Sequence, residues 1–405
     1  MNHTLSKWIL TFALFCQGAS LSGREPYHAL VTVNKASEKV SDPNLVDLKR
    51  SLGKALVTLS TDVPPLSPAA IDINLRGIFL LNSFAANSTA LVLEIPQANI
   101  VETFDGGTRE ASLILLKDFI RDGGTNGRLF RAYAKFSPID PIAGNPNSLM
   151  SQMAQADYLL GHLSPLSGCN CCWSAQPVIH QFQAGSYVGR AFSNGFDTTI
   201  VTLPIRYSFS PNQKWAFILD APLSYFRNGG ASSLFGSLAM GLRLPITSFW
   251  ALTSTLRFGA GGTMDLCTAG AFVSPGLLST IDFKVSDYVL SMTNYAGYTS
   301  SVNVWLTGIN FNYHLHNYIF KNGIAITTCQ GFNFCKRPFN LSLGFIDTAF
   351  SRGHLFINHY DEINVSLITN NVNPLVNYDS LSLQLAFQYG QRSYKGYFFN
   401  LTYQF

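Results

Sequence analysis

Histidine and cysteine are the side chains of this chain best suited to chemistry, and the histidines form no familiar catalytic pattern. Beyond the first 25 residues they are scattered, at His28, His162, His180, His314, His316, His354 and His359. Nucleophilic hydrolysis needs a serine or cysteine activated by a nearby base, often on a G-x-S-x-G turn, and no such turn occurs. We therefore expect no enzyme activity, no catalytic residue and no cofactor. A hydrolase with a Ser or Asp and a His on one face of the fold is the alternative.

The cysteines favour disulfide bonds over a metal site. Cys329 and Cys335 flank QGFNF, and in an oxidising compartment a disulfide closing this stretch is favoured over two free thiols. A C-x-C-C group is formed by Cys169, Cys171 and Cys172, with His162 and His180 on either side. Neither histidine has a familiar zinc-ligand spacing, so we expect no metal. We expect these cysteines to pair with one another or with Cys267.

Charged side chains in the second half of the chain follow a regular pattern. They fall on the polar face of segments in which apolar and polar residues alternate, at Arg206, Asp220, Arg243, Arg257, Asp282 and Lys284. An arginine or lysine in the middle of a bilayer would cost about 2–4 kcal/mol on a lipid-facing surface. We therefore predict that these six side chains face the interior of the fold, away from lipid.

The composition indicates a membrane protein without membrane-spanning helices. The 405 residues are 47% hydrophobic but only 12% charged, about half the charge usual in a soluble domain. A spanning helix needs about 20 consecutive apolar residues, and the best candidate, residues 77–96, is interrupted by several polar side chains. The other structure that satisfies every backbone group in lipid is a closed β-barrel.

Composition also excludes other classes. Aromatic residues are abundant and the net charge is only +4, which excludes disorder. No clustered basic stripe suggests nucleic acid as a partner.

The first 22 residues combine a lysine, an apolar run and small residues, which predicts a secretory signal peptide. Lipoprotein processing at Cys16 is disfavoured because the bulky Phe15 precedes it.

Residues 177–405 alternate almost throughout with period two, as the strands of a transmembrane barrel do. Leu238, Met240, Leu242, Leu244 and Ile246, for example, share one face. The segments predict 12 to 14 antiparallel strands. The number is even if the first strand begins and the last strand ends on the same side of the membrane, the periplasmic side. Short connections, among them HLHN at 314, alternate with long ones, and this predicts that residues 327–338, including both cysteines, form an external loop.

Residues 23–163 mix helix and strand signals and predict a soluble α+β domain. Helices are expected after Asp42-Pro43, after Thr108 and after Asn145-Pro146, where capping residues precede apolar stripes. Residues 129–136 alternate and predict a strand. Residues 164–176 form the cysteine-containing linker to the barrel. The predicted fold is thus an all-β transmembrane barrel preceded by a small soluble α+β domain.

The end of the chain, YKGYFFNLTYQF, resembles the C-terminal signature of Gram-negative outer-membrane barrels. Its apolar face consists of Tyr397, Phe399, Leu401, Tyr403 and Phe405. The resemblance implies residence in the bacterial outer membrane, with outer-membrane lipid and the barrel assembly machinery as partners. These five residues would form the assembly signal.

A second resemblance extends over residues 199–266. The elements LP-x-x-Y, D-x-PL-x-Y, LP-x-T and W-x-LT are similar to those of autotransporter-like barrels that stand alone, without a long passenger. It implies a barrel that anchors its N-terminal domain in the cell envelope. A small-solute channel plugged by that domain is the alternative. The oligomeric state is left open.

Overall fold

The computed structural model describes residues 26–404 except residue 122, residues 163–178 and several short stretches. Those stretches are residues 212–214, 229–230, 264, 266–267, 307–308, 330–331, 335–336, 352–354 and 374–375. The predicted signal peptide, the C-x-C-C linker, Cys267, Cys335 and Phe405 lie outside the described residues.

The N-terminal region is built on one six-stranded antiparallel sheet with the order β2-β1-β3-β4-β5-β6. Its strands are β1 (Tyr27–Val33), β2 (Ala36–Asp42), β3 (Ala69–Leu75), β4 (Ile78–Phe84), β5 (Leu91–Ile95) and β6 (Ile100–Phe104). Helix α1 (Leu45–Ser60) buries Leu48 and Ala55 against β1 and β2. Asn44, and not Asp42, caps this helix, because its side chain accepts the backbone N–H of Asp47 at 2.9 Å.

Two further helices follow the sheet, α2 (Arg109–Arg121) and α3 (Gly123–Phe136). The strand predicted at residues 129–136 is wrong, since this segment is the second half of α3. Its sequence, LFRAYAKF, contains no β-branched residue and several good helix formers. Phe130, Tyr133 and Ala134 are buried at helical spacing, so a short alternation was a poor guide here.

Residues 180–404 form the wall of a closed antiparallel barrel. Its strands are β7 (His180–Ser193), β8 (Phe196–Leu203), β9 (Ile205–Phe209), β10 (Ala216–Asp220), β11 (Leu223–Asn228), β12 (Ala231–Pro245), β13 (Trp250–Thr263), β14 (Thr268–Val285), β15 (Tyr288–Val302), β18 (His316–Thr328), β20 (Arg337–Ser351), β21 (His359–Asn373), β22 (Val376–Gly390) and β23 (Tyr394–Gln404). The ladder between β23 and β7, from Lys395 opposite Phe192 to Gln404 opposite Gln183, closes the ring.

Two wall strands are divided by prolines. Pro204 separates β8 from β9, and Pro222 separates β10 from β11, because proline has no N–H to donate to a ladder. Counting each divided strand once, the wall has twelve strands. The short pieces β16 (Val304–Leu306), β17 (Ile309–Phe311) and β19 (Phe332–Phe334) belong to connections. The predicted fold class, a barrel of 12 to 14 strands preceded by an α+β region, is confirmed.

The two ends of the barrel differ in their connections. At the end where β7 begins and β23 finishes, here the terminal end, β12 joins β13 and β14 joins β15 through short turns. At the opposite, distal end, the connection between β15 and β18 spans residues 303–315 and includes β16 and β17. His314 therefore lies in a long connection, and the tight turn predicted there is wrong.

Cys329 directly follows β18, whose residue Thr328 pairs with Tyr288 at the terminal end. This long connection therefore lies at the end where the tight turns lie, and the predicted alternation of short and long connections between the two ends is wrong here. The length of a connection alone therefore could not predict at which end of the barrel it lies. The Cys329 N–H donates to the carbonyl of Asp287 at 2.6 Å. Its predicted disulfide partner lies outside the described residues.

The outer surface of the barrel carries an apolar band with charges near its distal rim. Leu238, Met240, Leu242 and Leu244 point outward from β12 and are 39–57% exposed. Outward-facing charges occur near the distal ends of strands, as in the Arg190–Asp197 pair, whose Nε and Oδ1 atoms lie 2.9 Å apart. In the described residues, no helix is both long and apolar enough to cross a membrane.

Replacing Leu242 by arginine should reduce the amount of folded, membrane-inserted barrel. Leu242 lies in the apolar band, where a cation facing lipid costs about 2–4 kcal/mol. Leu234→Arg is the matched control, because Leu234 also faces outward but lies near the distal end of β12, where the cost is about 0–1 kcal/mol. The fraction of heat-modifiable protein in the membrane measures both. Equal losses would show that the band is wrongly placed.

Candidate functional site: the barrel lumen

The chain enters the barrel between the α+β region and β7. Every residue from Ser137 to Ser151 is buried, and helix α4 (Leu149–Tyr158) packs against β12, β13, β14 and β15. Asn147 donates to the Thr198 hydroxyl near the distal end at 3.1 Å. Beyond α4, a 3₁₀ turn (Leu159–His162) reaches β14, where the Thr280 hydroxyl donates to the Gly161 carbonyl at 3.4 Å. The helix thus runs through the lumen from the distal side towards the terminal side.

The placement of α4 differs from the sequence expectation, which assigned residues up to 163 to a separate soluble domain. Capping residues and an apolar stripe predicted the helix correctly but did not show which surface covers that stripe. Leu149, Met150, Met153, Ala154 and Tyr158 are all 0–2% exposed, because the inner wall of the barrel surrounds them. The N-terminal region and the barrel therefore share residues 137–162 as a common core.

A buried network of four charges joins α4 to the wall. Arg257 on β13 contacts Asp157 of α4, with Nε and Oδ1 2.8 Å apart, and Asp220 of β10, with Nη2 and Oδ2 2.6 Å apart. Arg206 on β9 completes the network through its Nε, 3.0 Å from Asp220 Oδ1. The four side chains are at most 7% exposed. Two arginines and two aspartates thus meet in one buried network.

Further hydrogen bonds complete this network. Arg257 Nη1 donates to the Ser237 hydroxyl at 2.9 Å, and Arg206 Nη1 donates to the Leu159 carbonyl at 3.3 Å. The Tyr295 hydroxyl donates to Asp157 Oδ2 at 3.3 Å. A buried ion pair is costly to break because removing one partner leaves an unpaired charge, at about 3–5 kcal/mol. The network is therefore a latch that holds α4 in one register.

Three glycines of the wall make room for the chain in the lumen. A Cβ added at Gly259 would collide with Met153, one at Gly270 with Ile142, and one at Gly323 with Tyr158. Each glycine lies inside a wall strand, where glycine otherwise weakens the strand. Their positions follow the path of residues 142–158 along β13, β14 and β18.

The remaining predicted lumen charges lie nearer the terminal end. Arg243 and Asp282 are buried, with 6% and 7% of their surface exposed. Lys284 follows Asp282 on the same face of β14 but is exposed where that strand reaches the terminal end.

Two lumen charges were absent from the sequence prediction. Lys321 Nζ lies 3.0 Å from the Thr348 hydroxyl oxygen and 5.6 Å from the centre of the Tyr158 ring. Glu362 accepts a hydrogen bond from Gln388 at 2.8 Å. Both alternate with outward apolar residues, Phe320 and Ile363, so the same period-two rule would have found them.

On the terminal side of α4 the lumen holds a polar cavity of about 240 Å³. Hydroxyl and amide side chains dominate its lining, among them Gln183, Thr293, Ser342, Ser366, Ser382, Gln384 and Thr402. The distal half is filled by residues 137–158, whereas this half contains the cavity. In this structure the described chain thus closes the lumen from the distal side.

The α+β region is joined to the distal rim of the barrel by a second buried ion pair. Arg76 Nη1 lies 3.1 Å from Asp140 Oδ1, and both side chains are at most 1% exposed. Arg76 also lies over the Tyr133 ring, 4.0 Å from its centre. The Tyr313 hydroxyl, from the β15–β18 connection, donates to Asp140 at 3.0 Å.

Burial raises the pKa of Asp140 above its ordinary value, and the Arg76 guanidinium opposes that shift.

The outer face of β23 carries most of the predicted assembly signal. Tyr397 and Tyr403 are 56% and 38% exposed, and Phe399 and Leu401 are half-buried on the same face.

No family model matches this sequence. No curated protein matches it either. Among solved structures the chain is similar to the β domain of the Bordetella autotransporter BrkA, with 11% identity and a TM-score of 0.43, over 56% of this chain and 99% of that one. It is also similar to the translocator domain of NalP from Neisseria meningitidis, with 11% identity and a TM-score of 0.41, over 64% and 98% of the two chains.

A third similar structure is the COG4313 outer-membrane channel of Pseudomonas putida F1, with 12% identity and a TM-score of 0.39, over 57% and 97% of the two chains. The class of this protein follows from its own strand pairing. It is a closed twelve-stranded antiparallel barrel of the outer-membrane type, with an internal helix and an α+β region at one rim.

Proposed function

We propose that this protein is an autotransporter-like outer-membrane barrel that holds its N-terminal α+β domain at the cell surface. The observation that carries the proposal is the path of the chain. The domain contacts the distal rim, α4 occupies the lumen, and the barrel strands begin and end at the opposite end.

The orientation in the membrane follows from three features taken together. The chain ends at the terminal end with the strand that resembles an assembly signal, several turns there are short, and outward charges lie near the distal rim. Periplasmic turns of outer-membrane barrels are short. We therefore assign the terminal end to the periplasm and the distal end to the outside. Export by a signal peptide and insertion by the barrel assembly machinery are part of this proposal.

A plugged small-solute channel is the second candidate. The polar cavity at the terminal side favours it. An anchor and a plugged channel differ in whether the lumen ever opens. No catalytic role is proposed.

Insertion of an epitope tag distinguishes the sides of the membrane. A tag after Asp62, in the exposed turn that follows α1, should be detected by antibody on intact cells. A tag after Thr247, in the exposed turn between β12 and β13, is the matched control and should be detected only after the outer membrane is permeabilised. Flow cytometry reports both. Detection of only the second tag on intact cells would reverse the orientation and reject surface display.

A further inference from the structure

Three metal-binding side chains meet on the outward face of β20 and β21. They are Asp347, His359 and Asp361, and one ligand atom from each lies within 4.8 Å of the other two. His359 Nε2 is 2.5 Å from Asp347 Oδ1 and 4.0 Å from Asp361 Oδ1. The function proposed above makes no use of this cluster, and the sequence analysis expected no metal.

The strand register gives an independent reason to expect a cation here. Asp347 and Asp361 are directly opposite each other in the β20–β21 ladder. Two like charges in that relation destabilise a sheet. Among the described ion pairs, both carboxylates are paired only with His359, and Asp361 also accepts a hydrogen bond from the Tyr389 hydroxyl. A single imidazole thus lies between two carboxylates.

The cluster lies next to the apolar band of the barrel. Phe345 and Ile363, two residues further along the same outward faces, are exposed apolar side chains. The two aspartates thus lie where the apolar band gives way to the distal rim. Charges so close to the band need a compensating partner.

We propose that Asp347, His359 and Asp361 form a binding site for a divalent transition-metal ion, with zinc as the best match. One imidazole nitrogen and two carboxylate oxygens are ligands that zinc accepts, at about 2.0–2.2 Å. An ion of this kind separates its ligand atoms by roughly 3.3 Å, so the His359 ring and the Asp347 carboxylate need to move apart by under about 1 Å. His359 is 44% and Asp347 34% exposed, which leaves them free to do so and leaves open coordination positions for water.

Zinc binding to the full-length protein folded in detergent tests this site. The linker cysteines could also bind zinc, so the titration uses a background in which Cys169, Cys171 and Cys172 are serine. In that background calorimetry should detect one zinc ion per chain. His359→Ala, Asp347→Asn and Asp361→Asn should each weaken binding by about tenfold or more.

His316→Ala is the matched control, because His316 is also an exposed outward histidine near the distal rim but contacts hydroxyl groups, Ser300 at 3.0 Å, and no carboxylate in the described structure. It should leave zinc affinity unchanged. Heat-modifiable migration verifies that each variant is folded. Cobalt in place of zinc should give ligand-field bands without thiolate charge transfer. Absence of zinc binding by the cysteine-substituted protein, or equal binding by His359→Ala, would overturn the proposal and leave the cluster a simple histidine–aspartate pair.

Discussion

Replacing Asp157 by arginine should open the barrel to ions. The substitution places a third guanidinium against Arg257 and removes its 2.8 Å partner, so α4 loses its latch and meets repulsion instead. Breaking a buried ion pair costs about 3–5 kcal/mol, which is on the order of a hundredfold to several thousandfold in the population of the open form. Single-channel recording in planar bilayers should show frequent large openings in the variant and few in the parent protein.

Asp197→Arg is the matched control for that experiment. Asp197 also pairs with an arginine, but the pair is on the outer surface of the barrel, so its reversal should leave conductance unchanged. If Asp157→Arg stays closed while remaining folded, the latch does not hold the helix. Frequent openings in both variants would mean that any change of charge loosens the barrel.

Replacing Arg76 by alanine should destabilise the attachment of the α+β region to the barrel. The change leaves Asp140 buried without its cation, at a cost of about 3–5 kcal/mol. Urea unfolding in detergent, followed by protease sensitivity of the α+β region, measures the effect.

Arg50→Ala provides the comparison for Arg76→Ala. Arg50 forms an exposed i,i+3 pair with Asp47, and such a pair contributes under about 1 kcal/mol. A small and equal shift in both variants would show that the region folds independently of the rim.

The barrel wall could be predicted from the sequence because each strand faces two different environments. Leu242 must meet an apolar band and Arg243 must avoid it, so the alternation along β12 specifies both faces. The same period-two alternation also places Lys321 on the inner face of its strand, although the sequence analysis did not include this residue. The wall has twelve strands, which is the lower limit of the prediction. Pro204 and Pro222 each divide one wall strand into two pieces and do not add a strand to the ring.

The contents of the lumen could not be predicted in the same way. Met153 and Tyr158 give α4 the apolar stripe of an ordinary soluble helix, and period alone does not identify the partner surface. The wall glycines opposite the helix were a usable signal, since Gly259 and Gly323 interrupt strands that otherwise carry side chains on that face. Likewise Asp347 and Asp361 are on consecutive strands, 14 positions apart, and only the ladder register shows that they are directly opposite each other.

The passage of the chain through its own barrel has a mechanical consequence. Six strands about 4.8 Å apart make the sheet at the distal rim roughly 24 Å wide, and the lumen below it is already filled by one helix and its preceding loop. Pulling the chain towards the terminal end therefore cannot withdraw the folded region. Either the sheet must unfold, or the ladder between β7 and β23 must unzip along its length, with ten residue pairs from Lys395–Phe192 to Gln404–Gln183. The α+β region thus acts as a stopper, and its resistance to force comes from topology as well as from the strength of the latch.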